Sequence, residues 1–407
     1  MADGTKIEWT DATWNPITGC AVVSPGCTNC YAMKLAGTRL KNHPSRKGLT
    51  KDTKGGPVWT GEVRFNREWL DQPLRWTKPR MIFVCAHGDL FAEGVPEEWI
   101  DEVFAVMALS AQHTFQVLTK RPERMRDYAR EMERCLEDDV AEFQRRWGNA
   151  AAEVSGSPCA AGAIEDREWP LPNVWFGVSV EDRKRAEERI PILLETPAAI
   201  RWISAEPLLG DIDGKRWLPT RRKAFRPGGE PFLAPHFYMT KCEHCHWTGS
   251  SELFDEISYG DDADVACPSC HRIILADELR TIDWVVAGGE SGPGARPMHP
   301  DWARALRDQC AAAGVPFLFK QWGNWREACS DWRDYEGNHI EIMPDTDEGE
   351  ALFDDATDRL ISADGRLFTP DTLPPDTPAR LIERITKKAA GRLLDGIEHN
   401  GFPEVRR

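Results

Sequence analysis

The sequence predicts an α/β fold of six to eight βα units, arranged as a (β/α) barrel, partial or complete, or as an open doubly wound sheet. Three observations lead there. Short runs rich in β-branched and aromatic residues recur between helical patterns, and polar residues follow each run. The length of 407 residues, 41% apolar and 29% charged, suffices for one large α/β domain or two smaller ones.

In chain order the strand-like runs are Met81–Cys85, Phe115–Thr119, Val174–Val178, Ile200–Ser204, Ile282–Ala287 and Val315–Phe319, with further candidates at Ile7–Trp9 and Val58–Phe65. Pro96–Met107 has apolar residues at helical spacing and acids in its first turn, and Asp301–Ala313 reads as a helix closed by Gly314. Residues 123–173 read as a helical insertion: a charged helix from Tyr128 to Trp147, then a small-residue stretch, Ala150–Gly162, expected to be flexible. After Trp325 the chain turns acidic and Pro-rich (Asp345–Asp376) and ends in an expected basic helix, Pro378–Leu394. Residues 1–209 would form the N-terminal part of the barrel, with a cysteine-bearing loop at 14–31. Residues 210–280 would be an insertion, 281–330 the C-terminal part of the barrel, and 331–407 the acidic segment with its basic helix.

With 66 acidic and 51 basic residues, a net charge of −15 excludes a histone-like mode of nucleic-acid binding, while a local basic groove stays open. No window holds 18 uninterrupted apolar residues and Met1–Asp11 is polar, so the expectation is a cytoplasmic protein with no membrane partner.

Seven of the twelve cysteines fall into two groups. Cys242-x2-Cys245 and Cys267-x2-Cys270, 21 residues apart, are two knuckles of a zinc ribbon: four thiolates complete a tetrahedral shell, so His244, His246 and His271 are bystanders. Such a closed site does no chemistry; it stabilises an insertion too small to bury its own core. Paired disulfides are the alternative. Cys20-x6-Cys27-x2-Cys30 offers three thiolates without a nearby fourth ligand, in a Pro- and Gly-rich loop. Three alternatives fit: a cubane iron–sulfur cluster with one open iron, zinc with three cysteines and water, or structural zinc with a distant fourth ligand. Cys85, Cys135, Cys159, Cys310 and Cys329 are scattered and read as inert small hydrophobes.

The residues Lys6-Ile7-Glu8-Trp9-Thr10-Asp11, Thr13-Trp14-Asn15-Pro16, Gly19-Cys20, Ser24-Pro25-Gly26-Cys27 and Asn29-Cys30-Tyr31-Ala32 resemble the start of the phage three-Cys-motif protein family (gp-thirty-seven/gp-sixty-eight type). Later matches run through Gly88-Asp89-Leu90-Phe91, Leu118 to Met125, Trp175 to Ser179, Ser204 to Leu208, Gly288 to Gly292, Phe319 to Gly323 and Lys387 to Gly396, nearly the whole chain outside the two insertions. That family looks like a branch of the radical S-adenosylmethionine (SAM) enzymes. The resemblance implies a radical-SAM-like (β/α) barrel in which Cys20, Cys27 and Cys30 hold a [4Fe-4S] cluster. Its open iron would chelate SAM, and one electron from a redox partner would release a 5′-deoxyadenosyl radical. The six-residue gap between the first two cysteines is longer than the three usual in that superfamily, and Tyr31 follows the third cysteine where the common pattern has an aromatic before it.

At the strand ends, Gly288 and Gly289 would allow close backbone approach, and Glu290 would accept hydrogen bonds from the SAM ribose or ammonium. Tyr31, Glu206 and Asp89 join them as cofactor-site candidates, and Lys120, Arg121 and Lys320 would supply positive charge for a carboxylate or phosphate. Seventeen tryptophans, among them Trp9, Trp14, Trp202, Trp322 and Trp325 near the motifs, are mostly core, with a few available to stack a base. The expected activity is modification or repair of a nucleic-acid base or nucleotide. The rivals are a zinc-dependent hydrolase or deaminase, which lacks an H-E-x-x-H signature and has only His87 near Asp89, and a non-catalytic nucleic-acid- or partner-binding protein with two structural metal sites.

Overall fold

The structure, a computed structural model, describes residues 5, 7–219, 222–225, 231–234, 239–242, 244–245, 247–250, 253–259, 262–274, 280–328, 353 and 356–404. His246, Cys329 and the acidic stretch 345–352 lie outside the described residues, as does Lys6.

Seven strands make one sheet: β1 (Ala12–Trp14), β2 (Met81–Val84), β3 (Thr114–Thr119), β4 (Val174–Ser179), β5 (Ile200–Ala205), β6 (Trp284–Gly288) and β7 (Phe317–Gln321). They pair strictly in chain order and all in parallel. Strand order never reverses, so the switch point of a doubly wound sheet is absent. The loops after β1 and β7 line one cavity, so the sheet curls into a half-barrel. The helices that pack on it include α2 (Glu97–Leu109), α3 (Pro122–Asp138), α4 (Arg183–Glu195) and α5 (Pro300–Ala313), while α1 (Tyr31–Gly37) packs on a hairpin of residues 50–59 beside the sheet. Gly314, at φ 70°, closes α5 in the left-handed conformation that glycine adopts without strain.

Side chains alternate across each strand. Residues such as Val84, Val117, Phe176, Ile203 and Phe319 face the helices in the main core. The alternate positions face inward, where Trp175, Trp202 and Trp284 meet Trp9 with ring centroids 5.3–6.2 Å apart. Gly177 makes room for this cluster, because a Cβ there would lie 2.4 Å from the Trp202 ring.

The six principal strand runs are all present. The candidate Ile7–Trp9 is not a strand: Thr10 and Asp11 bond to the backbone of Met81 and start β1 only at Ala12, which leaves Trp9 as an interior plug. Val58–Phe65 does not join the main sheet; Gly56–Trp59 pairs with Thr50–Thr53 in a hairpin, and Arg64–Phe65 pairs with Ile17–Thr18. The charged helix runs over Pro122–Asp138 and breaks at Asp139 rather than spanning Tyr128–Trp147. The stretch Ala150–Gly162 is helical, not flexible, in Asn149–Ser155 and Ala160–Glu165. Alanine is the strongest helix former, and here Ala151 and Ile164 are buried against the core.

The C-terminal basic helix is a further correction. Ala379–Arg384 is a strand between Trp325–Glu327 and Asp358–Ser362, followed by a single turn at Lys387–Ala390 and a small hairpin of Leu393–Leu394 with Ile397–Glu398. Burial of Ile382 against Trp325 and Ile361 outweighs the helical charge pattern. Among the described residues no helix is long and apolar enough to cross a membrane.

Candidate metal centre and cavity

The cysteine loop follows β1. Asn15 accepts from the His87 backbone N–H at 2.9 Å, and Asn66 donates to Asn15 O, Pro16 O and Thr18 Oγ1 from a buried position. Gly19, at φ 97°, sits where any Cβ would lie 2.3 Å from Glu62 O. The turn Pro25–Cys27 is tied across the mouth by the fully buried Glu181, which accepts from Gly26 N at 3.2 Å and pairs with Arg189 at 3.0 Å. Burial alone would raise the Glu181 pKa, but Lys120, Arg189 and hydrogen bonds from Ser24 and Gly26 hold it below the ordinary carboxylate range.

A cavity of about 250 Å³ opens where the strands end, lined by Cys20, Cys27 and Cys30 together with Tyr31, Asp89, Lys120, Arg121, Glu206, Gly289, Glu290 and Lys320. Of the expected site residues in this region, only Gly288 is not on its wall; it stands behind Glu206, whose Oε1 would be 2.8 Å from a Cβ at 288. Residues distant in sequence thus face one space.

Most of the charged groups are already bonded. Asp89 is buried and accepts from Thr119 Oγ1 (2.7 Å), Phe91 N (3.0 Å), Lys120 N (3.1 Å) and Arg121 Nη1 (3.2 Å). Arg121 also grips Glu93 and donates to Cys20 Sγ at 3.4 Å. Burial, then Asp89, pushes the Cys20 thiol up to about 12 against the pull of Arg121, so ligation at this sulfur displaces a proton. Glu290 accepts from Asn29 Nδ2 at 2.8 Å and from Arg296 at 2.6–3.0 Å, while Arg296 also reaches Pro25 O. Lys320 meets Glu206 at 3.0 Å. Tyr31 donates its hydroxyl to Ala86 O at 2.6 Å and leaves its ring exposed.

Lys120, by contrast, has no carboxylate within ion-pair distance among the described residues, though its charge reaches Glu181, and Gln321 Oε1 is buried with no hydrogen-bond donor. Glu181 and Gln321 are among the polar strand-end residues that the sequence already marks, Asn29 stands in the cysteine motif, and Arg296 carries the site from a loop with no signal in the sequence. Cys85 also lines the cavity, at φ 55° directly after β2, with its thiol pushed up to about 12 by burial. The five motif tryptophans, Trp9, Trp14, Trp202, Trp322 and Trp325, are each buried in the core, and Trp9 among them also lines the cavity.

Cys242, Cys245, Cys267 and Cys270 have all four sulfurs within 4.8 Å of one another, and the pairs Cys242–Cys270 and Cys245–Cys267 are 3.7 and 3.6 Å apart. Bonds of ~2.3 Å to one tetrahedral ion separate thiolates by about 3.8 Å, so this group can bind a metal such as zinc. The two knuckles are fixed by Cys242 N donating to Trp247 O and Cys267 N to Arg272 O, with Trp247 packed on Phe254. His244 and His271 stand outside the sulfur group, near Arg272 and Asp255.

A parallel half-barrel with three cysteines at its mouth and a four-cysteine group inserted between β5 and β6 is the class that fold and sites define. Over residues 4–403 the chain matches the family described as Protein of unknown function (DUF5131), and it belongs to that family. No curated protein and no solved structure matches it.

Proposed function

We propose that this protein is a radical-SAM-like iron–sulfur enzyme of the phage three-Cys type, its half-barrel a radical-SAM-like barrel, acting on a nucleic-acid base or nucleotide. The observation that carries the reading is the convergence of Cys20, Cys27 and Cys30 on a cavity at the carboxyl ends of the strands. Unlike the four ribbon sulfurs, these three are not among the described groups whose ligand atoms lie within 4.8 Å of one another. That suits a cubane, which holds each thiolate on a separate iron, better than a single zinc ion.

Bound at Cys20, Cys27 and Cys30, a cluster would supply one electron, drawn from an external one-electron reductant, for cleavage of the SAM sulfonium to methionine and a 5′-deoxyadenosyl radical. Arg121 orients Cys20 and offsets thiolate charge through its 3.4 Å contact. Glu181 and Glu290 hold the cysteine loop against the strand ends through Gly26, Asn29 and Arg296. Lys120 is the cation available to a ligand carboxylate, and Gln321 Oε1 and Glu206 Oε2, on the cavity wall, are the acceptors that an ammonium or ribose hydroxyl would meet. The ribbon's zinc is structural.

The test is anaerobic reconstitution with iron, sulfide and zinc analysis, followed by dithionite reduction in the presence of SAM. Near four irons and one zinc per chain, with release of 5′-deoxyadenosine that Cys27→Ala abolishes, is the expected result. Two zincs and no iron, or iron without SAM cleavage, would overturn it.

A further inference from the structure

The chain's charge is distributed very unevenly. Residues 34–64 hold eight Lys and Arg against two acids, Asp52 and Glu62, in a protein whose net charge is −15. This segment comprises most of α1, the loop after it and the hairpin Thr50–Thr53/Gly56–Trp59. It is seated on the cysteine site: Ala32, Met33, Ala36, Leu49 and Trp59 form one cluster with Cys20 and Cys30 packed against it, and Trp59 lines the cavity. Gly37 lets helix and hairpin close up, since a Cβ there would lie 2.0 Å from Pro57. The basic segment is therefore part of the cavity rim.

Its cations are unneutralised. Among the described residues, Lys41 is the only one of the eight with a carboxylate partner, Asp52 at 2.6 Å. Arg64 and Lys34 bond to backbone carbonyls and Asn29, Arg46 is buried against Ser45 and His87, and Arg39, Lys47, Lys51 and Lys54 are exposed with no acid within ion-pair distance. Unpaired cations on an otherwise acidic protein repel one another less when a polyanion covers them, and salt released from that polyanion favours the complex. In the cysteine loop Val22 and Val23 are exposed, at 47% and 42%, and so is Tyr31, at 53%, at the start of the helix that leads into the basic segment. Apolar and aromatic faces next to unpaired Lys and Arg fit unstacked bases on a charged backbone, which an acidic peptide does not offer.

We propose that α1, the loop after it and the basic hairpin form a docking surface for the sugar–phosphate backbone of a nucleic-acid strand, so that the substrate is a polymer and not a free nucleotide. Arg39, Lys47, Lys51 and Lys54 contact phosphates, and the strand passes Tyr31 toward the cavity. The inference deepens the function proposed above and rests on it for the destination of the base, but docking needs neither cluster nor SAM.

Binding of a fluorescently labelled, mixed-sequence single-stranded 20-mer, as DNA and as RNA, is measured by anisotropy on the full-length chain across a salt series. A free mononucleotide, a polyglutamate peptide and anionic vesicles serve as competitors. The expected result is binding of the oligonucleotide with a slope of log K on log salt near −3, from about four phosphate contacts. The quadruple variant R39E/K47E/K51E/K54E should bind at least tenfold more weakly with a flatter slope, while K184E/K388E, reversed on other surfaces, should change binding by less than twofold. Thermal melting of the quadruple variant reports that its fold is intact. Oligonucleotide binding that the quadruple change leaves untouched, no binding at low salt, or equal displacement by polyglutamate or vesicles would overturn the proposal. SAM cleavage by the wild-type chain without oligonucleotide reads the underlying function separately, so either can fail alone.

Discussion

His87 sits in the wall behind the cysteine loop, where its Nδ1 accepts from the buried guanidinium of Arg46. Burial first, and then the Arg46 charge, lower its pKa from 6.5 to about 4, so the folded protein holds a neutral imidazole. Arg46 is itself lowered to about 10 by burial. The consequence for stability has a definite sign. Below pH 6.5 the unfolded chain takes up a proton that the folded chain refuses until about pH 4, so His87's contribution is complete above pH 6.5 and is lost as the pH falls toward 4. At about pH 5 the loss is roughly 2 kcal/mol. Urea unfolding of metal-free protein at pH 7.5 and 5 should show the wild type losing that much more stability than His87→Asn; equal losses would mean that His87 protonates freely in the fold. No such pairing is readable from sequence, because 41 residues separate His87 from Arg46. The same holds for Glu290: its type and strand-end position are visible in the sequence, but its engagement by Arg296 and Asn29 is a property of loops that meet only on folding.

Elements whose periodicity and tertiary burial agree were legible. β4 and β6, buried at every position, follow continuous apolar runs, and α5 carries its own stop at Gly314. Where local charge or small side chains pointed away from the packing, reading failed: Ala379–Arg384 has a basic helical look but alternates into a sheet, and Ala150–Gly162 looks like a linker but packs on α2. The ribbon is the opposite case, in which spacing alone fixed the ligand set while little else in the insertion is patterned. Among its described residues the apolar cluster beside the sulfurs is small, Phe254 and Val265 with Trp247 against them, so a metal held by the four thiolates would supply much of its stability. Chelation of zinc, or Cys267→Ser, should open the insertion to limited proteolysis within residues 239–274 while the half-barrel melts at nearly its original temperature. Resistance of the insertion after complete zinc removal would show that its side chains suffice.

At the scale of the whole molecule the half-barrel leaves two exposed sheet edges, and the chain's last described residues cover one of them. Phe319 N donates to His399 O at 3.0 Å and Gly401 N to Phe317 O at 2.9 Å, so residues 399–401 run antiparallel along β7. Trp284 Nε1 donates to Gly401 O at 2.7 Å, and Phe402 lies over the Trp284 ring with centroids 5.2 Å apart, sealing the end of the tryptophan cluster opposite the cysteine mouth. Gly401 is required for the approach, since a Cβ there would lie 2.7 Å from Phe317 N. Removing residues after Glu398 would leave an open strand edge, an indole N–H without its acceptor and an apolar floor exposed to water. Loss of the Phe402 and backbone contacts should cost about 3–5 kcal/mol in urea unfolding, comparable to deletion of a buried aromatic. The bare β7 edge should also make the truncated chain self-associate with rising concentration in sedimentation velocity. The two cysteine groups lie elsewhere, at the opposite mouth and in the insertion, so whatever metal the full chain takes up on reconstitution should be taken up equally by the truncated one. A truncated protein that stays monomeric and equally stable would mean that this segment only decorates the edge, and that the half-barrel closes itself by other contacts.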